Sequence, residues 1–348
     1  MLVLVRLTIL AALLACTSVA AIEIGELRSG VWAALQPEDN RFNDCNSLIV
    51  AADDYVIVVD AQESASDVTQ IIDFVQEEIG KPVRYLVNTH WHGDHTQGNT
   101  RYKEVYGDAL VIVGHETQAI DIPERAATSH AERVAAYRDQ LPAARAQLET
   151  GVKLDGSRFT DEELAAQTVR VERAEAWLAA NEDVVFTGPT LPISDTLKIE
   201  AGSASFSVFP QRGHTRGDLL VYFPQLEVLA AGDLVDVMPY SGHGYPLEWL
   251  AALEFIETLD AGIIVPGHGA TLRDRQLIAN LISYFDSLTR QVAALAADGK
   301  DLESVRDAID LSTSRQLLAG DDEAAARFFD RVQDEAIERA YLEVTERE

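Results

Sequence analysis

The chain has 348 residues, 28 of them basic and 57 acidic, for a net charge of −29 at neutral pH. That excess of carboxylates repels phosphate backbones and anionic lipid surfaces, so it argues against nucleic acid as a partner and against electrostatic docking on a membrane. Hydrophobic residues make up 47% of the chain, and a chain of this length can bury a large core.

At the amino end, residues 1–21 carry a single charge, Arg6, before the apolar run 7–15, then the small residues Ser18, Val19, Ala20 and Ala21. That order predicts a secretory signal cut after Ala20 or Ala21, hence a periplasmic or secreted protein. The same segment has two other readings. Leu13-Leu14-Ala15-Cys16 resembles a lipobox, which would make the chain a lipoprotein acylated on Cys16. An uncleaved 2–21 approaches membrane-spanning length. Only these two readings bring the protein to a membrane. Cys16 and Cys45 are the only cysteines. Loss or acylation of Cys16 leaves Cys45 alone, and an exported chain with no internal disulfide relies on its core. No motif accompanies Cys45, which reads as a small packing residue.

Further along, 48–51 and 55–60 read as strands, the second closing on Asp60. An amphipathic helix over 68–79 stops at Gly80, with Pro82 beyond it. Strand 83–89, helix 99–106 and strand 110–114 follow. His115, after that strand, belongs to no ligand spacing and reads as a structural histidine. Residues 123–182 change character: Ala, Glu, Arg and Gln dominate, with Leu and Val at helical intervals. They predict two helices, 132–150 and 161–181, the second opened by a capping box of Thr160 and Glu163. This helical insertion is expected over or beside the site, as a lid or as a buttress. A hairpin of 196–201 and 205–210 leads to strands 219–223, 228–231 and 262–265. A helix begins at Pro246 and runs to 259. From 273 the chain reads as a helical extension, 273–297, 302–309 and 322–344, covering the rest or forming a homodimer contact.

The chemistry concentrates at strand ends. His90-Trp91-His92-Gly93-Asp94-His95 puts three imidazoles and a carboxylate directly after a strand. In extended backbone, residues two apart share a side, so His90 and His92 aim at one point. Asp94 and His95, where the chain turns away, aim at a second. His214 precedes one later strand, Asp233 ends another and His268 ends a third. In an α/β arrangement, the carboxyl ends of strands collect on one edge, where sites form. Mixed imidazole and carboxylate sets suit zinc, iron or copper and leave coordination positions open.

Over residues 28–272 these ordered motifs resemble the metallo-β-lactamase superfamily. The resemblance implies a four-layer αββα sandwich of two mixed sheets at 22–272, interrupted by the helical insertion and followed by the extension 273–348. It also implies two metal sites: His90, His92 and His214 for the first, Asp94, His95 and His268 for the second, with Asp233 bridging. Asp60 matches the strand-end aspartate that supports the ligands from behind. One β-lactamase subclass uses a cysteine thiolate on the second metal. Here Asp233 occupies the corresponding region, as in the broad hydrolase branch of thioesterases, lactonases and phosphodiesterases.

Two cations about 3.5–4 Å apart can share a water, lower its pKa and polarise a substrate oxygen. The expectation is a secreted dinuclear hydrolase, with two zinc ions (iron or manganese being alternatives) and a bridging hydroxide, acting on an ester, thioester, lactone or amide-type bond of a small molecule. Asp233 holds both metals, and Asp94 can pass a proton toward the leaving group. No Gly-x-Ser-x-Gly elbow is present, so no covalent intermediate is expected. The alternatives are a class B β-lactamase and, from another class, a non-hydrolytic di-iron redox or metal-binding protein. The aromatic, glycine-rich loop after Asp233 offers Tyr240, His243 and Tyr245 as substrate contacts.

Overall fold

A computed structural model describes residues 22–38 and 40–346. The signal or lipobox reading of 1–21, Cys16 included, lies outside the described residues. The first sheet contains, in spatial order, β1 (Glu23–Arg28), β2 (Val31–Leu35), β3 (Ser47–Ala51), β4 (Val56–Val59), β5 (Val83–Val87), β6 (Val111–His115) and β7 (Leu191–Ile193). It is antiparallel as far as β4 and parallel from there to β7. The second sheet takes β8 (Leu197–Ile199), β9 (Phe206–Gln211), β10 (Asp218–Phe223), β11 (Val228–Gly232) and β12 (Ile263–Pro266) in reverse order, with only β11 and β12 parallel.

The two sheets stack face to face, and strand alternation divides their residues. Leu48, Val50, Ile57, Val59 and Val87 of the first sheet meet Val208, Leu219, Val221, Phe223 and Val265 of the second. Ile49, Val56, Val58, Leu86 and Ile112 point the opposite way, against helices. Burial on both faces explains why β3 and β4 read as unbroken apolar runs rather than alternating ones.

The helices are α1 (Ala65–Phe74), α2 (Gly93–Thr96), α3 (Asn99–Tyr106), α4 (Gln118–Asp121), α5 (Ala127–Thr150), α6 (Asp161–Asn181), α7 (Pro246–Glu257), α8 (Gln276–Ala297), α9 (Leu302–Ala308), α10 (Ser312–Ala319) and α11 (Glu323–Thr345). The capping box is present: Glu163 N donates to Thr160 Oγ1 at 3.2 Å, and Thr160 N to Glu163 Oε2 at 2.8 Å. Helix α1 starts three residues before the apolar periodicity because the Ser64 hydroxyl caps it, and a wider turn carries it on to Gly80. Strand β4 stops at Val59, one residue short of expectation. Asp60 turns the chain with φ 65°.

Strands β1, β2 and β7 and helices α2, α4 and α10 have no counterpart among the expected elements. Strand β7 is only three residues long and carries no periodicity of its own; it exists because it extends β6. The insertion between β6 and β7 is the hairpin of α5 and α6. Its anchor is His130, whose Nε2 bonds the Asn181 carbonyl at 2.8 Å while its ring packs against Trp177 and Phe186.

The C-terminal helices are not a detached unit. One apolar cluster runs from Leu229 of the second sheet through Trp249 of α7 and Phe285 of α8 to Phe329 and Ile337 of α11. Trp249 and Phe285 pack with ring centroids 4.5 Å apart. Phe285→Ala should therefore lower the free energy of unfolding by about 3–5 kcal/mol, seen as a lower denaturant midpoint at unchanged slope. A loss below 1 kcal/mol would mean that α8 folds apart from the sandwich.

Candidate metal centre

Strand ends build the centre. Strand β5 delivers Thr89 and His90, then the turn into α2 delivers His92, Asp94 and His95. His214 precedes β10, Asp233 follows β11 and His268 follows β12. The facing donor atoms form three groups, within each of which they lie within 4.8 Å of one another: His90, His92, His214 and Asp233; Asp94, His95 and His268; and Asp233, Asp236 and His268. Asp233 lies between them. Its Oδ2 is 3.3 Å from His214 Nε2 and 3.5 Å from His268 Nε2, and its Oδ1 is 3.1 Å from His95 Nε2. Asp94 Oδ2 stands 3.3 Å from His95 Nε2 and 3.2 Å from His268 Nε2.

The rings are held from behind. Asp60 accepts from the Thr89 N–H and hydroxyl, both at 2.8 Å, and lies 2.9 Å from His95 Nδ1. His214 Nδ1 donates to the Tyr240 carbonyl at 3.0 Å, and His268 Nδ1 to the Arg41 carbonyl at 3.1 Å. Those contacts leave Nε2 of each ring facing the centre. Close packing requires glycine at two places. A Cβ on Gly267 would stand 1.8 Å from Asp233 Oδ1, and one on Gly232, which has φ 52°, would stand 2.5 Å from Thr89 Oγ1.

The donor set fits a cation. His90 Nε2, His95 Nε2 and Asp233 Oδ1 are buried and make no hydrogen bond, the last two facing each other at 3.1 Å, whereas buried polar atoms in folded proteins are normally hydrogen-bonded. Burial holds His90 and His92 well below the usual imidazole range and His214 at about 4, so these rings are neutral, the form that binds metal. Burial also opposes charge on Asp94 and Asp233, but the imidazoles around them, His95 foremost, hold both carboxyls well below the carboxylate range.

Beside the donors opens a cavity of about 540 Å³. Phe42, Trp91, Phe186, Met238 and Phe328 give it apolar walls, and Arg125 and Arg133 of the insertion bring positive charge. The insertion is thus one wall of the pocket, and α11 supplies another through Phe328. Tyr240 and His243 line the cavity. Tyr245 does not. As the residue before α7 it donates its N–H to the Gly213 carbonyl, and its ring is covered by the Arg212 and Arg339 guanidinium groups. His115 bonds Thr117 at 2.9 Å and joins no donor group. Cys45 is buried, and burial pushes its thiol up, consistent with a packing role.

Sequence reasoning missed Asp236, whose carboxyl burial pushes up to about 7. Its only signal was the spacing Asp233-x-x-Asp236 after a strand. Arg125, Arg133 and Phe328 carried no signal, because only the fold brings them to the cavity.

Two stacked mixed sheets flanked by helices, with a His/Asp cluster able to hold metal on one edge, define a metallohydrolase-type sandwich. The chain belongs to the metallo-beta-lactamase superfamily of metal-dependent hydrolases, whose family model matches residues 40–268. It is 22% identical over 259 residues to the metallo-beta-lactamase type 2 of Bacillus sp. (strain 170), covering 71% of this chain and 76% of that protein. It is 20% identical over 261 residues to the linear primary-alkylsulfatase of Pseudomonas sp. (strain ATCC 19151), covering 72% of this chain. The match spans only 45% of the alkylsulfatase's length. Among solved structures, the metallo-beta-lactamase from Pontibacter korlensis superposes with a TM-score of 0.52 at 18% identity, over 76% of this chain and 99% of that one.

Gly267→Ala should displace Asp233 and weaken metal binding roughly 10–100-fold, the range seen when a metal site loses its support. His115→Ala should leave metal content unchanged. Elemental analysis of both purified variants checks this, and loss of metal from His115→Ala would show that the donor groups are wrongly drawn.

Proposed function

We propose that this protein is an exported hydrolase that holds two zinc ions and cleaves an ester, thioester, lactone or amide-type bond in a small, partly apolar substrate. The position of Asp233 carries this reading, because its carboxylate stands within reach of His214 on one side and of His95 and His268 on the other. Seven side chains are too many for one tetrahedral ion. His90, His92 and His214 would hold one ion, Asp94, His95 and His268 the other, and Asp233 both. Asp236 stands beside the second set. When bound, such ions supply an activated water and polarise the substrate oxygen.

The chain's own residues do the rest. Trp91, Phe186, Met238 and Phe328 take up the apolar part of the substrate and exclude water from the reacting bond. Arg125 pairs through Nε with the buried Asp121 at 3.1 Å and keeps 48% of its side chain exposed at the cavity, where its guanidinium offers a contact to a negatively charged group of the substrate. Asp94 is the carboxylate most open to the cavity, 21% exposed against 7% for Asp233. In this reading Asp94 passes a proton to the leaving group.

Export rests on residues 1–21, as a cleaved signal or as a lipoprotein leader through Cys16. A second reading, β-lactam hydrolysis, is supported by the similarity to the Bacillus enzyme. The carboxylate Asp233, with no thiolate among the donor groups, favours the first. The alkylsulfatase relative and the apolar cavity add an alkyl sulfate to the compounds worth testing.

Elemental analysis should find two zinc ions per chain at saturation, with turnover lost on chelation and restored by zinc. One ion per chain would refute the dinuclear centre. Asp233→Asn keeps size and removes charge, so it should deplete the second site and lower kcat by roughly 100-fold or more. In a substrate panel, ester or lactone turnover should exceed that of penicillins and carbapenems. Iron with oxygen consumption and no hydrolysis would replace this reading with a redox one.

A further inference from the structure

Four of the five clustered imidazoles follow one rule. Nε2 faces inward, and Nδ1 has a fixed partner: the Thr89 hydroxyl for His90, Asp60 for His95, and the carbonyls of Tyr240 and Arg41 for His214 and His268. His92 is reversed. Its Nδ1 is the inward atom, 2.9 Å from His214 Nε2, and its Nε2 faces Nδ1 of His243 at 2.9 Å. A neutral imidazole carries one N–H. An unprotonated Nδ1 facing the donor cluster places that hydrogen on Nε2, so His92 donates and His243 Nδ1 accepts.

We infer that His243 is a positioning residue for the metal centre rather than a substrate contact alone. It fixes the tautomer and ring orientation of His92, and the C-terminal helix α11 in turn fixes His243. This rests on the metal-centre reading above. His243 sits on a loop held from both sides. On the inner side, the Tyr240 carbonyl accepts from His214 Nδ1. On the outer side, Arg339 of α11 donates through Nε to the Gly244 carbonyl at 2.8 Å and lies over the Tyr245 ring, and Glu343 accepts from the Leu247 N–H at 2.9 Å. The loop thus ties the last helix of the chain to a ligand more than two hundred residues upstream. The rings of Trp91 and Tyr240, with centroids 5.0 and 5.6 Å from that of His243, restrict its rotation.

The test measures zinc affinity of the full chain by competition with a chromophoric chelator, so that it does not depend on turnover. His243→Phe keeps a ring in the wall and removes the acceptor. His243→Asn places an amide oxygen where Nδ1 stands and keeps it. His243→Phe should weaken zinc binding about 10–100-fold, as loss of a hydrogen-bonded ligand partner does. His243→Asn should recover most of that loss. Arg339→Met should weaken binding less, in the same direction, and should add nothing in the His243→Phe background, because the two act through one contact. Unchanged zinc affinity in His243→Phe overturns the inference, as does His243→Asn behaving like His243→Phe. A raised KM with unaltered zinc affinity would return His243 to a substrate contact. A wild-type chain that binds no zinc would remove the metal-centre reading itself, and this inference with it.

Discussion

Five imidazoles and three carboxylates share one largely buried edge of this protein, and their mutual electrostatics constrain everything around them. Withdrawing an ionised group from water costs several kcal/mol unless a partner compensates. Here each carboxylate stands among imidazoles, and burial keeps three of the rings neutral. Donor atoms still remain unpaired at the centre of the cluster. A site that leaves buried nitrogen and oxygen atoms unmatched, all facing one another, is shaped for cations that complete it.

Holding such a cluster requires a scaffold that does not relax, and the stacked sheets provide one. The donors sit just beyond strands or in the short helix α2 that follows β5. The apolar faces of β3, β4, β5, β10 and β11 lock those strands in register. Local strain gathers at the same edge. Asp60 has a positive φ, a conformation that costs on the order of 1 kcal/mol or more for a residue with a side chain. Its two hydrogen bonds to Thr89 and its contact with His95 hold it there. Gly267 leaves Asp233 room that no side chain would.

The pocket around the cluster comes from later and more distant additions. The segment between β6 and β7 brings Arg125, just before α5, and Arg133 of α5 to a protein of strongly negative charge, and α11 brings Phe328. The two peripheral helical segments therefore line the cavity beside the centre, whereas the sandwich holds the centre itself. Helix α11 belongs to both roles, since it closes the apolar core through Phe329 and Ile337 and tethers the loop beneath His92 through Arg339.

Much was legible in the chain itself, for local reasons. The period-two geometry of a strand pairs His90 with His92, the turn after it releases Asp94 and His95, and the later donors each sit next to an apolar run. The capping box at Thr160 and the stop at Gly80 are equally local. Tertiary structure alone decided what depends on distance. Asp236 became part of the cluster because β11 and β12 run side by side. Tyr245, offered by the sequence as a substrate contact, packs instead beneath two guanidinium groups from separate parts of the chain. The three-residue β7 formed only because β6 offered it an edge. His243, one of three candidates in an aromatic, glycine-rich loop, was distinguished from the others by the one ring nitrogen of His92 that points away from the centre. Periodicity and spacing record which side chains share a face; they do not record which nitrogen of a ring faces inward, and on that choice the support of the metal centre depends.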